Sequence, residues 1–548
     1  MDIADILQFK PEVNAKRSAD DDTIAISAKL QKKSANNANV LTDEEKLHLL
    51  ETAADNDDSD ALDETSLKKL ITLFIKDTLK NQEMRIKFAE CPEKFMESEL
   101  ALHNSLEEMH VVATVPSMYN IVVSLNCIKY FLLLLSHENA DIIIAVIDLL
   151  QELTDVDTLN DSKEGATALI DALTQTQIMG VLVQNLHKMD ETESDEAQCV
   201  HNIIAIFENI LEFRPDLSAD AANQGLLQFL IKRIRVRAHD ANKLYCIELL
   251  AIILQNSDEV RELLGEIDGI DTLLQQLAFF KRHDPQNSEE IEIMENTFNC
   301  LCNALMLPLN RDKFLKGEGL QLMNLLLREK KLSRFSALKV LDHAMSGSEG
   351  VDNCLKFVDI LGLRTLFPLF IKSPKQNKKT GHTQNEHEEH IISIIAHLFR
   401  NTTGQQRNRL LSKFSERDYE KLDRLIELHC KYMEQVKLYD DEIERERKEL
   451  IDAGEEVTEE DEEDFFLQKL SNGLYILQQL DYIILDLANS SSDKKVKENI
   501  LNLLNLRGVT KEDVRYVVRE YAAQLGSAKS EEEQESERRR LTQLIDVF

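Results

Sequence analysis

Gly225-Leu-Leu-Gln-Phe-Leu230 returns along the chain as Gly269-Ile-Asp-Thr-Leu-Leu-Gln-Gln-Leu277, as Gly319-Leu-Gln-Leu-Met-Asn-Leu-Leu-Leu327 and as Gly362-Leu-Arg-Thr-Leu-Phe-Pro-Leu-Phe370. Weaker copies start at Asn126 and Gln177, so successive starts lie 43–51 residues apart. Each copy is a small or polar residue followed by an apolar stretch with helical spacing. One such unit cannot bury its apolar face alone, whereas a stack of them buries a continuous core. The four glycines should begin second helices, or end the short helices before them, where φ > 0 or close packing is tolerated.

A period of this length predicts an all-α fold, an armadillo/HEAT-like right-handed helical solenoid with helical N- and C-terminal caps. The composition agrees. The chain has 548 residues, too many for one compact core, and 43% of them are apolar. Gly (16) and Pro (8) are scarce, so few turns interrupt long helical stretches.

Helical periodicity starts near Leu67. The spacing divides the chain into a tail (1–62), an N-terminal helical cap (63–105), repeats (106–403) and a C-terminal helical capping region (404–548). The tail is acidic, poor in large apolar runs and expected to be mostly disordered. It carries two basic clusters, Lys16-Arg17 and Lys29 with Lys32-Lys33, at a separation that suits a bipartite nuclear-localisation signal. A polar loop interrupts the repeats at 373–385. The C-terminal region holds a charged helix (437–450), an acidic run (459–464), an amphipathic segment from Phe465 to Ala488 and three further helices.

The formal charge of −35 favours basic partners and disfavours direct binding of RNA or DNA by the body of the chain. The eight cysteines form no Cys-x-x-Cys pair and lie mostly in apolar stretches, which reads as buried thiols in a reduced compartment. No metal site or cofactor is expected. The N-terminus lacks the layout of a signal peptide. The stretch 109–128 is free of charged side chains other than His110, but it is broken by Pro116 and carries too many polar groups to span a membrane.

Glu386-His387-Glu388-Glu389-His390 places its histidines three apart. A zincin helix needs His-Glu-x-x-His, so this string reads as a solvated, charged helix start. Lys316-Gly-Glu-Gly319 lacks the third glycine and the preceding strand of a dinucleotide loop. No Walker A motif or nucleophile elbow occurs, and no catalytic residue is expected.

Several long strings carry a resemblance. They are Pro92-Glu-Lys-Phe-Met-Glu-Ser-Glu-Leu100, Glu108-Met-His-Val-Val-Ala-Thr-Val-Pro116, Asp240-Ala-Asn-Lys-Leu-Tyr-Cys246, Phe314-Leu-Lys-Gly-Glu-Gly-Leu-Gln-Leu-Met-Asn324 and Ser336-Ala-Leu-Lys-Val-Leu-Asp-His-Ala-Met345. From about Asp63 to its end the chain resembles the beta-catenin-like family of armadillo-repeat nuclear proteins. That resemblance implies a non-enzymatic spliceosomal scaffold in the nucleus, associated with the nineteen complex. It implies binding of basic, nuclear-localisation-like segments of splicing factors, notably the cell-division-cycle-5-like protein. The sparser basic cluster in the tail departs from the family pattern.

In armadillo repeats the third helix lines the concave groove, and an Asn near its end can hydrogen-bond an extended peptide. The resemblance places Glu152, Asn209, Asn303, His343 and Asn401 at that position, with Asp148 one turn before Glu152. Importin-type grooves pair each Asn with a Trp, and this chain has no Trp. A nuclear-import adaptor for basic cargo is therefore the second reading. The oligomeric state stays open, with a homo-oligomer as one outcome.

Overall fold

Helices follow one another from Glu64 onward in the computed structural model, which describes residues 64–374, 381–454, 457–490, 494–525 and 531–548. The tail, with Lys16, Arg17, Lys29, Lys32 and Lys33, lies outside the described residues. Helices α1 (Glu64–Lys87) and α2 (Met96–Met109) open the array, so the first pair ends at Met109 rather than at 105. The repeats then come as triplets. The first is α3 (Tyr119–Ser124), α4 (Cys127–Leu134) and α5 (Ala140–Leu153). A short helix α6 (Val156–Asp161) precedes α7 (Lys163–Gln175), α8 (Ile178–Lys188) and α9 (Ser194–Phe213). Next come α10 (Ser218–Asn223), α11 (Leu226–Ile234) and α12 (Ala241–Asn256), then α13 (Asp258–Glu266), α14 (Gly269–Phe279) and α15 (Ser288–Ala304). Two more triplets follow, α16 (Pro308–Lys316), α17 (Gly319–Arg328) and α18 (Arg334–Met345), and α19 (Val351–Asp359), α20 (Leu363–Ile371) and α21 (Gln384–Asn401).

Each class of helix stacks on its own kind. Third helices form an unbroken ladder, α2 on α5, then α9, α12, α15, α18 and α21, and second helices stack from α8 through α20 in the same way. This one-dimensional stacking is what a repeat of about 45 residues demands. The core is one continuous apolar ribbon that includes Phe131, Phe207, Phe298, Phe314 and Phe357.

The stacking does not stop at residue 403. Helix α22 (Gly404–Ser415) packs on α19, α23 (Glu420–Ala453) packs on α20, and α25 (Tyr475–Ser490) continues the third-helix ladder on α21. The division drawn there from the sequence reflects a change in surface charge, because α23 runs 34 residues and its far half is mostly charged. Helix α24 (Glu459–Lys469) is inserted between α23 and α25. The amphipathic segment from Phe465 to Ala488 is therefore two helices, broken at Gly473, where φ is 115°. Helices α26 (Lys494–Leu506), α27 (Lys511–Ala523) and α28 (Glu531–Val547) close the end by packing on α25.

The recurring phrase marks the junction of first and second helices, by two devices. Left-handed backbone occurs at Asn126, Gln177, Gly225, Asp268, Glu318 and Leu361, one per repeat. Only Gly225 occupies that position itself, with φ of 107°. Gly269, Gly319 and Gly362 come one residue later, where a Cβ would run into Leu264, Phe314 and Phe357 respectively. The shared glycine thus answers to strain in one repeat and to close approach in three.

Among the described residues no single helix is long and apolar enough to cross a membrane, and the bend between Pro116–Ser124 and Cys127–Leu134 is 81°. Six of the eight cysteines are buried, Cys430 is half-buried, and Cys91 is exposed.

Candidate functional site

Third helices start at fixed points because their first turns are capped by side chains. Asn139 accepts from the backbone N–H of Asp141 (3.0 Å), Asp240 from that of Lys243 (2.9 Å) and Asn287 from that of Glu290 (2.8 Å). Thr383 and Glu386 form a reciprocal capping box at α21. Such caps stabilise a helix by about 1 kcal/mol each and fix which face turns toward the neighbouring repeat.

The open face of the ladder, turned away from the first and second helices, is bridged at nearly every step. Asn202 on α9 donates to Asp148 on α5 (2.7 Å), and Tyr245 on α12 donates to Glu208 on α9 (2.5 Å). Asn296 on α15 donates to Glu248 on α12 (3.3 Å), and Lys339 on α18 donates to Asn299 on α15 (3.3 Å). At the N-terminal end His110 Nδ1 lies 2.7 Å from Glu152. Burial pushes the Asp148 carboxyl above the usual carboxylate range, against the opposing hydrogen bond from Asn202.

Charge on this ladder is one-sided. Helices α2, α5, α9, α12 and α15 together carry sixteen Asp and Glu and one basic residue, Lys243. Lys243 is completely buried, where its Nζ donates to the Val236 carbonyl (2.6 Å) and to Gln276 (2.9 Å). Burial, then the nearby Arg233, bring its pKa down to about 8. The solvent-facing part of these five helices is therefore purely acidic.

The residues expected at the groove do not share one environment. Asp148 is half-buried and Glu152 exposed, both on the open face. Asn209 is buried, and its neighbour Glu208 takes the open position. One residue is a rotation of about 100° on a helix, which moves a side chain from the open face into the stack. Asn303 is half-buried and donates to the Ala251 carbonyl of the preceding third helix (3.1 Å). Asn401 is buried and donates to the carbonyls of Gly347 (2.7 Å) and Met345 (3.3 Å). These last two amides tie repeats together. His343 is half-buried, and desolvation brings its pKa down to about 3, so the ring is neutral.

The histidine string at 386–390 is not solvated beyond its first residue. His387, Glu388 and His390 are buried because α21 is covered by α18 and α25, while side chains of α23 reach over Glu388. Glu388 accepts from Arg424 (2.9 Å), Lys431 (2.7 Å) and Tyr432 (2.9 Å). His390 Nδ1 is 2.9 Å from Asp342 Oδ2. Burial opposes the charged form of Asp342, but its contacts to His390 and His397 prevail and hold the carboxyl well below the usual range.

The sequence reading missed this cluster, although His390, Ser393 and His397 are spaced three and four apart inside an apolar run, the mark of a buried polar seam. Ser393 and Asp342 both address Nε2 of His397, at 3.2 and 3.5 Å. A proton relay needs its base and its orienting acid on opposite ring nitrogens. Nδ1 of His397 is buried with no partner among the described residues, so the cluster does not have that geometry and instead ties α18 to α21.

A model of the family described as catenin-beta-like, Arm-motif containing, nuclear matches residues 44–519. The human protein named Beta-catenin-like protein 1 is 55% identical over 488 residues, covering 89% of this chain and 86% of that protein. The Schizosaccharomyces pombe protein named Beta-catenin-like protein 1 homolog is 33% identical over 444 residues, covering 80% and 75%. A designed armadillo repeat protein of known structure aligns with a TM-score of 0.33 at 14% identity, over 45% of this chain and 94% of that chain. With the repeats, the third-helix ladder, the family match and the two named relatives in hand, the chain belongs to the catenin-beta-like family of Arm-motif-containing nuclear proteins.

Proposed function

We propose that this chain is a non-enzymatic nuclear scaffold of the spliceosome, within the nineteen complex, whose third-helix face holds basic, extended segments of splicing factors. The observation that carries this reading is the exclusion of exposed Lys and Arg from α2, α5, α9, α12 and α15. A continuous carboxylate face attracts a cationic segment and rejects an acidic one, so charge supplies specificity as well as on-rate. Backbone contacts from an asparagine array play a smaller part than the resemblance implies, because Asn303 and Asn401 are occupied between repeats and Asn209 is buried. The lack of Trp disfavours an importin-like cargo groove.

The test is affinity purification from nuclear extract, with the wild-type chain beside a variant in which Glu152 and Glu212 are changed to Lys. Recovery of splicing factors, the cell-division-cycle-5-like protein among them, on wild type and their loss from the variant is the expected result. Equal recovery on both would remove the acidic face from the account.

A further inference from the structure

Three successive loops between second and third helices, those after α11, α14 and α17, form an edge whose charge is opposite to that of the ladder. Lys232 lies in the last turn of α11 and Arg235 and Arg237 follow it, Lys281 and Arg282 follow α14, and Lys330 follows α17. All but Lys281, which is half-buried, are exposed. The acids beside them are already engaged. Glu191 and Asp240 both accept from Arg233, Asp284 accepts from the Leu332 N–H (3.1 Å), and Glu290 lies 2.9 Å from His283 Nε2. The cations are left with an excess of positive charge in a chain of net charge −35.

Neighbouring loops touch, so the edge is one surface. Arg235 Nε donates to Thr272 on α14 (3.0 Å), and Lys331 Nζ donates to the Lys281 carbonyl (3.2 Å). In the middle stands Phe279, with 48% of its surface open to solvent. Its ring is fixed by His239 (edge-on, centroids 5.4 Å apart) and by His283 (4.6 Å). An exposed phenylalanine held rigid among cations is costly to leave in water and has no partner on its open side among the described residues.

We propose that this edge binds a single-stranded nucleic acid, with phosphates along the basic loops and an unpaired base stacked on Phe279. Cations that track a backbone together with an aromatic platform are the two parts of sequence-tolerant single-strand recognition. Helices pack 8–10 Å apart, so the loops of three repeats span roughly 20 Å, enough for a strand at the short end of ~4–16 nucleotides. An acidic peptide would satisfy the cations but would leave the Phe279 ring unused. Net charge is an average over the whole surface, and the acidic face is screened from this edge beyond a Debye length of about 8 Å. This site is separate from the peptide face and does not depend on it.

The experiment is fluorescence anisotropy of a labelled oligouridylate of about 15 nucleotides with the full chain, repeated over a range of salt. Binding is expected, with a log–log salt slope of about −2 to −4, as three to five released counterions give for a single strand. Arg237→Glu with Lys281→Glu and Arg282→Glu should weaken it at least ten-fold, Phe279→Ala about five-fold or more, and Glu152→Lys should not weaken it. Circular dichroism melts establish that each variant is folded. Absence of binding at low salt, or binding unaffected by the triple charge reversal, overturns the proposal. Equal binding of polyglutamate, with no effect of Phe279→Ala, would make the edge a general polyanion surface and overturns it too.

Discussion

Asp148 on α5 accepts a 2.7 Å hydrogen bond from Asn202 on α9, joining two successive third helices across their open face. The same relationship returns one step on, between Glu208 and Tyr245, and again between Glu248 and Asn296. Carboxylates on this face therefore have two uses. Some hold the ladder in register, and others stand exposed, among them Glu212 and Glu152, whose carboxylate meets His110.

The asparagines at helix ends should act on stability. Asn401→Ala removes the donor to the Gly347 and Met345 carbonyls and should cost about 1–3 kcal/mol, the usual penalty for a buried acceptor left without a partner. Asn303→Ala loses one bond to the Ala251 carbonyl and should cost about 1 kcal/mol. Urea unfolding midpoints measure both. Unchanged midpoints would mean that water replaces these amides at no cost.

Backbone strain at the first-to-second helix junction gives changes of opposite sign. Leu361 is half-exposed at a φ of 64°, where a Cβ costs roughly 1–2 kcal/mol, so Leu361→Gly should stabilise by ~0.5–1 kcal/mol after the flexibility of the unfolded chain is subtracted. Gly319→Ala pushes a methyl group into the Phe314 ring and should destabilise by about 1–3 kcal/mol. Thermal melts that shift the same way for both variants would contradict the division between strained and crowded positions.

Most of the architecture was legible in the sequence, because a repeat imprints itself on hydrophobic spacing. The second helices begin within one residue of the phrase at all six positions. Two things were not legible. The helical face that Asn209 takes depends on a rotation of one residue, which a short phrase cannot resolve. The burial of His387 depends on the Phe335 ring of α18 and that of Glu388 on α23 side chains reaching over α21, contacts between elements far apart in sequence. The charge of the third helices was readable from the outset, but only once helix boundaries separated them from the basic loops.

Acid should weaken the array through buried histidines. Desolvation keeps the folded His343 from binding a proton until about pH 3, while the unfolded chain takes one up near the ordinary value of about 6.5. The unfolded state thus binds more protons between these values, and stability falls as pH falls across that window. Asp342 beside it is held below the usual carboxylate range, so its own contribution is lost only in stronger acid. Lys339, Arg311 and His390, which also bear on His343, make protonation there harder still. Urea midpoints at about pH 7 and about pH 5 should differ less in His343→Gln than in wild type. An equal difference in both would remove His343 as a cause.

Calorimetry decides whether the acidic open face of α2, α5, α9, α12 and α15 holds basic segments. The ligand is a basic peptide from the cell-division-cycle-5-like protein, titrated at low and at high salt into wild type and into Glu152→Lys/Glu212→Lys. Both side chains are exposed and Glu152 gives up only a surface contact to His110, so the variant should melt close to wild type. The account predicts wild-type affinity that falls steeply with salt, since exposed charges are screened beyond about 8 Å at physiological ionic strength. It also predicts a loss of at least about ten-fold in the variant, or roughly 1.4 kcal/mol. Affinity that is unchanged in a normally melting variant, and indifferent to salt, would contradict it.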